Sequence, residues 1–82
     1  MKALVIGGSG FLGSHVADAL TENNFEVSVL DKIKSKYINK KQKMIIGDIT
    51  DKKIIEKHVK NTDYVYNFAG IADIEISKKK TY

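Results

Sequence analysis

Short apolar runs of strand length alternate along the chain with segments of helical periodicity. Apolar positions recur at helical spacing from Phe11 to Glu22 and from Asp51 to Val59, which predicts two helices. Four apolar runs predict β-strands at Ala3–Ile6, Glu26–Leu30, Lys43–Ile46 and Tyr64–Phe68. This alternation is typical of parallel strands joined by right-handed crossovers, so the chain is predicted to have an α/β fold.

The ends of the helices carry local signals. Asn23 and Asn24 tolerate the left-handed conformation that closes a helix, and Asp51 is a suitable N-cap for the second helix. The segment Ile33–Asn39 is considered as a short helix, with weak signals in the sequence. We expect the strands in the spatial order third, second, first, fourth, with helices on both faces of the sheet. A ligand would then bind at the carboxyl ends of the first and fourth strands.

A glycine-rich turn lies between the first strand and the first helix. Gly8-x-Gly10-x-x-Gly13 fits a dinucleotide-binding fingerprint, and the alternative reading from Gly7 shares its last two glycines. Glycine lets the chain turn sharply and lets backbone N–H groups approach a pyrophosphate, while the helix start adds partial positive charge. The order strand, turn, helix favours a phosphate-binding turn over an ordinary surface turn.

Two carboxylates follow predicted strands. Asp31 closes the second strand, where a carboxylate accepts hydrogen bonds from the adenosine ribose and repels a 2'-phosphate, so NAD is favoured over NADP. The adjacent Lys32 and Lys34 would tolerate a phosphate. Asp48 follows the third strand, where it could accept from the adenine amino group while Ile49 packs on the ring. The alternatives are that Asp31 and Asp48 are turn residues and that Ile49 belongs to the core.

The combination of these segments resembles a known family. The segments are Gly7-Gly8-Ser9-Gly10-Phe11-Leu12-Gly13-Ser14, Asp31, Gly47-Asp48-Ile49 and Asn67-Phe68-Ala69-Gly70. Together they resemble the N-terminal part of an extended short-chain dehydrogenase/reductase, the NAD-dependent epimerase/dehydratase family that acts on nucleotide sugars. The resemblance covers nearly the whole chain and implies a partial, Rossmann-type parallel sheet of about four strands.

The resemblance also implies a role for each matched residue. The pyrophosphate would be lined by Gly7, Gly10, Phe11, Leu12 and Gly13. Asp31 and Lys32 would contact the ribose, and Asp48 and Ile49 the adenine. The rest of the dinucleotide would be contacted by Phe68, Ala69 and Gly70.

The family's catalytic Ser or Thr and its Tyr-x-x-x-Lys pair lie beyond the fourth strand. Tyr37 and Lys41 match the pair literally, but they lie between the second and third strands, so we reject them as catalytic. The resemblance therefore implies that residues 1–82 are one truncated NAD-binding domain without catalytic residues, inactive alone. We expect residues 73–82 to form a loop or the start of an interrupted helix.

Composition limits the remaining possibilities. The chain has 82 residues, 43% of them hydrophobic and 29% charged, which suits one globular domain. There are no cysteines, no signal-peptide pattern, no long apolar segment and no metal-ligand spacing, so we expect a cytoplasmic protein without a metal or membrane contact. The net charge is +4, but every basic residue is lysine, which argues against nucleic-acid binding as the function.

Two expectations concern partners. The fourth strand would leave an exposed sheet edge, so we expect a homodimer through that edge. The nucleotide-sugar substrate would bind only to a longer protein. The alternative function is a non-catalytic nucleotide-sensing or protein-interaction module with the same fold.

Overall fold

The computed structural model describes residues 1–70 and 80–81. Strands and helices alternate within these residues as the hydrophobic pattern predicted. They are, in chain order, β1 (Lys2–Ile6), α1 (Phe11–Glu22), β2 (Glu26–Asp31), β3 (Gln42–Ile46), α2 (Lys52–Val59), β4 (Tyr64–Asn67) and β5 (Lys80–Thr81).

The strands form one parallel sheet in the order β3-β2-β1-β4-β5. β1 lies in the middle, where Val5 pairs with Val29 of β2 and with Tyr66 of β4. The predicted order of the first four strands is confirmed. Because the chain crosses from β3 to the far side of β1, the carboxyl ends of β1 and β4 form the switch point at which such sheets bind ligands.

β1 is apolar along nearly its whole length because both of its faces are buried. Leu4 is fully buried on the face that α2 covers through Ile55 and Val59. Val5 is fully buried on the opposite face, which α1 covers through Ala17. Burying an aliphatic side chain of this size contributes about 1.5–3 kcal/mol, so β1 anchors both layers and fixes the turn that follows it.

The predicted helix ends are confirmed. α1 begins directly after Gly10 and has its C-cap at Asn23, and Asn24 adopts the left-handed conformation with φ of 67°. The Asp51 carboxylate caps α2 by accepting the Lys53 N–H at 3.0 Å. Neither helix in the described part of the chain is long and apolar enough to cross a membrane.

The short helix considered for Ile33–Asn39 is wrong, because this segment is a loop with turns. The hydroxyl of Ser35 accepts the Tyr37 N–H at 3.1 Å, and local bonds of this kind compete with helical ones. The side-chain amide of Gln42 donates to Asp18 of α1 at 2.9 Å, which ties the end of the loop to that helix.

The chain beyond β4 contributes β5, a short strand parallel to β4. β5 pairs with Tyr64 and Val65. A strand at residues 80–81 differs from the loop or helix start that we expected there, and the rest of the prediction for residues 73–82 lies outside the described residues. β4 is therefore not a sheet edge at the two paired positions, where we had expected an exposed one.

Candidate cofactor-binding site

β1 ends in a turn whose first position requires glycine. Gly7 has φ of +75°, a conformation that other residues adopt only with strain. A Cβ atom at Gly7 would lie 2.9 Å from the backbone nitrogen of Ala69 and 3.1 Å from the carbonyl carbon of Phe68. The loop after β4 therefore packs directly on the glycine turn, and two predicted site residues, Phe68 and Ala69, lie beside it.

α1 starts in contact with the same turn. A Cβ atom at Gly13 would lie 2.8 Å from the Gly8 Cα atom and 3.0 Å from the carbonyl oxygen of Gly7. Gly8 in turn packs on the sheet, because its Cβ atom would lie 2.7 Å from a methyl carbon of Val29. Both readings of the glycine spacing thus contain glycines at which a larger side chain would collide with neighbouring atoms.

Gly10 differs from these glycines because open space surrounds it. Apart from Gly10 itself and its two chain neighbours, no residue has an atom within 4 Å of the position that its Cβ atom would take, and its φ of −76° suits any residue. Gly10 is the N-cap of α1, and its helix start has no side-chain cap. The first N–H groups of α1 and its partial positive charge therefore remain for a ligand. An uncapped helix start of this kind is a position at which anionic groups such as a pyrophosphate bind.

Asp31 lies beside the turn at the end of β2. Its Oδ2 atom accepts the Ser9 N–H at 3.1 Å, and its Oδ1 atom accepts the Lys32 N–H at 2.8 Å. An ionised carboxylate has about four acceptor positions, so about two remain after these bonds. The remaining positions match the two neighbouring hydroxyls of a ribose, which supports the predicted role of Asp31.

Asp48 and Ile49 follow β3 at the same edge of the sheet. The Oδ1 atom of Asp48 accepts the Thr50 hydroxyl at 2.6 Å and the Thr50 N–H at 2.9 Å. These bonds and the charge of Lys32 hold the pKa of Asp48 below its usual value. Asp48 is thus an ionised acceptor that also closes a local turn. Ile49 is half-buried and packs on the core cluster that contains Leu30, which agrees with the core alternative and leaves part of the side chain exposed.

The loop after β4 places small residues next to the turn. Phe68 donates its N–H to the carbonyl oxygen of Ile6 at 2.8 Å, which continues the sheet pairing into the loop. The side chain of Asn67 accepts the Ala69 N–H at 3.2 Å, so it stabilises its own loop. Gly70 has φ of +65° and no atom within 4 Å of its Cβ position. The backbone here leaves room for a ligand.

Two apolar side chains of the first turn of α1 point outward. Phe11 and Leu12 are 67% and 65% exposed. The Phe11 ring meets the rings of His15 and Tyr37 edge-on, with centroids 4.4 and 6.3 Å away. His15 is thus a packing partner at the surface. Tyr37 lies in a loop and therefore does not share a helix face with Lys41. This agrees with our rejection of the two residues as a catalytic pair.

Ser9 is a residue of the site that our sequence analysis did not single out. Its N–H contacts Asp31, and its hydroxyl donates to the carbonyl oxygen of Ile33 at 2.5 Å. A serine inside a glycine motif signals local hydrogen bonding in general. Its partner was not evident from the sequence, because all of α1 and β2 lies between Ser9 and Ile33.

The second of the two histidines in the sequence lies elsewhere. His58 lines a groove of about 320 Å³ at the amino ends of the strands, together with Lys43 and Glu26. Burial, followed by the charges of Lys57 and Lys43, lowers the pKa of His58. The described residues contain no group of three or more His, Cys, Asp or Glu that could hold a metal ion.

Comparison with known proteins identifies this arrangement of residues. Residues 3–81 match the sequence model of the NAD dependent epimerase/dehydratase family. The chain is 36% identical to a UDP-glucose 4-epimerase of Lactobacillus helveticus over 85 residues, which covers 98% of the chain and 26% of that protein.

Solved structures show the same relationship. A UDP-glucose 4-epimerase of Thermotoga maritima with UDP-glucose superposes with a TM-score of 0.76 and 35% identity over 88% of this chain and 25% of that one. The Thermus thermophilus UDP-glucose 4-epimerase in complex with NAD gives 0.74 and 32% over 94% of this chain and 26% of that one. The chain thus spans about a quarter of the length of these relatives.

Proposed function

Because this chain belongs to the NAD dependent epimerase/dehydratase family, we propose that it binds NAD at the carboxyl ends of β1, β2 and β4. The observation that carries the proposal is the open space at Gly10, at the uncapped start of α1. In the same turn, Gly7 lies against the β4 loop and Gly13 brings the helix start against the turn. A related structure was solved with NAD bound, which supports the choice of ligand.

Each part of NAD has matching groups in this arrangement. The pyrophosphate accepts hydrogen bonds from the N–H groups of the first turn of α1, including those of Phe11 and Leu12. The adenosine ribose donates to the remaining acceptor positions of Asp31. In this proposal Asp48 and Ile49 contact the adenine. The 2'-phosphate of NADP would meet the Asp31 carboxylate, so NAD is the preferred form.

In the β4 loop, small residues accommodate the rest of the dinucleotide. Ala69 and Gly70 leave room there, and Phe68, which is 37% exposed, borders it. Bound NAD supplies hydride transfer chemistry. The contribution of residues 1–70 to that chemistry is to bind and orient the dinucleotide.

The reaction of the whole protein is part of the same proposal. We assign it to epimerases, dehydratases or reductases of nucleotide sugars, because the relatives compared above are UDP-glucose 4-epimerases. In this proposal the acid and base groups come from outside the 82 residues. The position of Tyr37 in a loop and the packing of His15 on Phe11 support this division.

The homodimer remains a proposal as well. β5 already pairs with β4 at Tyr64 and Val65, so an exchange of strands through this edge would have to displace β5. Light scattering over a range of concentrations tests the dimer, and a constant monomer mass would contradict it.

Calorimetric titration with NAD and NADP tests the proposed function. We expect the wild-type chain to bind NAD about tenfold or more tightly than NADP. The 2'-phosphate of NADP would repel the Asp31 carboxylate, and a repulsion of about 1.4 kcal/mol corresponds to a factor of ten in the dissociation constant. Asp31→Asn removes the charge and should abolish most of this preference. Glu22→Gln, at the far end of α1, is the matched control and should leave it unchanged. Absence of heat with both cofactors would refute the proposal.

A further inference from the structure

Ser9 joins the glycine turn to the segment that follows β2. Its backbone N–H donates to Asp31 at 3.1 Å, and its hydroxyl donates to the carbonyl oxygen of Ile33 at 2.5 Å. The Gly7 N–H adds a bond to the carbonyl oxygen of Leu30 at 2.8 Å. One short turn therefore holds the chain immediately before, at and after Asp31.

These bonds fix the direction of the Asp31 carboxylate. Each of its oxygens accepts one backbone N–H, from Ser9 and from Lys32. The position of the Lys32 N–H depends in turn on the path of the loop, which the Ser9 hydroxyl holds one residue later, at Ile33. Ile33 is 70% exposed, so little side-chain packing holds this part of the loop. The Ser9 hydroxyl thus restrains the loop at a residue whose side chain adds little packing, between Asp31 and the buried Ser35.

We propose that Ser9 is a positioning residue that aims the Asp31 carboxylate at the ribose and thereby maintains the preference for NAD over NADP. The inference rests on the proposed function of the site. Without the hydroxyl, the loop is free to shift, the carboxylate loses its fixed direction, and the Lys32 ammonium gains freedom to approach a 2'-phosphate. The bonds to a ribose weaken, and the repulsion of NADP weakens with them.

The Ser9→Ala variant isolates the hydroxyl because it keeps the backbone N–H. A hydrogen bond of this kind contributes modestly, so we expect NAD affinity to fall about three- to tenfold and NADP affinity to change little. The ratio of the two dissociation constants is the decisive readout, since general destabilisation would weaken both cofactors alike. Ser9→Thr keeps a hydroxyl and should restore the ratio. Ser28→Ala, in the middle of β2, is the control for loss of a serine hydroxyl.

An unchanged ratio in Ser9→Ala, or the same loss in Ser9→Ala and Ser9→Thr, would overturn the inference. The carbonyl ¹³C shift of Ile33 in the cofactor-free protein is measured alongside. It should move in Ser9→Ala and not in Ser28→Ala, and a shift that stays in place would show that the bond to Ile33 does not form. If the wild-type chain bound neither cofactor, the proposed function would fail, whereas the carbonyl shift would still decide whether Ser9 holds the loop.

Discussion

Replacing Gly10 with alanine separates the cofactor cradle from the stability of the fold. The added Cβ atom meets no atom within 4 Å, and the backbone at Gly10 suits alanine. Alanine restricts the unfolded chain, which stabilises the folded protein by about 0.4–1 kcal/mol. Alanine is also a poorer N-cap than glycine, which destabilises the helix by a similar amount. We therefore expect the free energy of unfolding to change by less than about 0.5 kcal/mol.

The same methyl group should impair binding. It occupies space that the proposed pyrophosphate requires, and overfilling a packed contact costs about 1–3 kcal/mol. This corresponds to a rise in the dissociation constant for NAD of about 5- to 150-fold. Calorimetry measures the affinity, and urea denaturation of the same samples measures the stability.

Gly13→Ala is the matched comparison, because its Cβ atom would lie 2.8 Å from the Gly8 Cα atom. Here the backbone of α1 must move away from the turn, so we expect a loss of about 1–3 kcal/mol in stability. For a domain of this size each 1 kcal/mol lowers Tm by about 4–8 °C. Wild-type NAD affinity in Gly10→Ala, or equal destabilisation by both variants, would refute the distinction between the open and the packed glycine.

Three further predictions concern α2 and the titrating groups. Asp51→Ala removes the cap on the Lys53 N–H and should cost about 1 kcal/mol in urea denaturation, whereas Asp51→Asn should cost little. Thr50→Val removes the hydroxyl that contributes most to the lowered pKa of Asp48, so an NMR titration should show this pKa rise. Because folding lowers the pKa of Asp48, the wild-type protein should lose stability as the pH falls from about 3.9, the ordinary pKa of an aspartate, through the lower pKa of the folded state. Thr50→Val should lose less stability over this pH range. Burial lowers the pKa of His58, so the wild type should lose stability as the pH falls below about 6.5. His58→Gln should remove this loss. Parallel curves of unfolding free energy against pH for the two proteins would contradict the prediction.

The sequence predicted the elements whose causes are local. The apolar run of β1 reflects burial on both faces, Asn24 closes α1 in the left-handed conformation, and Asp51 caps α2. The expected strand order is the one that doubly wound dinucleotide-binding sheets adopt. The glycines of the turn were predicted because their steric requirement is a property of the motif itself.

The parts that escaped prediction depend on distant contacts. The loop before β3 was considered as a helix, but Ser35 bonds locally and Gln42 is held by α1. Ile49 had two possible roles, and its packing on the Leu30 cluster is a tertiary contact. Ser9 meets Ile33 only after the chain has passed through α1 and β2 and returned to the turn. Local pattern carries no information on such pairs.

A titration of the ¹⁵N-labelled chain with NAD, followed by NMR, tests the central claim most directly. We predict saturable shifts of the amide signals of the glycine turn and the start of α1, of the segment around Asp31, and of the loops after β3 and β4. The groove lined by His58 lies at the opposite end of the strands and should not respond. No saturable shifts, or shifts concentrated at that groove, would contradict the assignment of NAD to the cradle at Gly10.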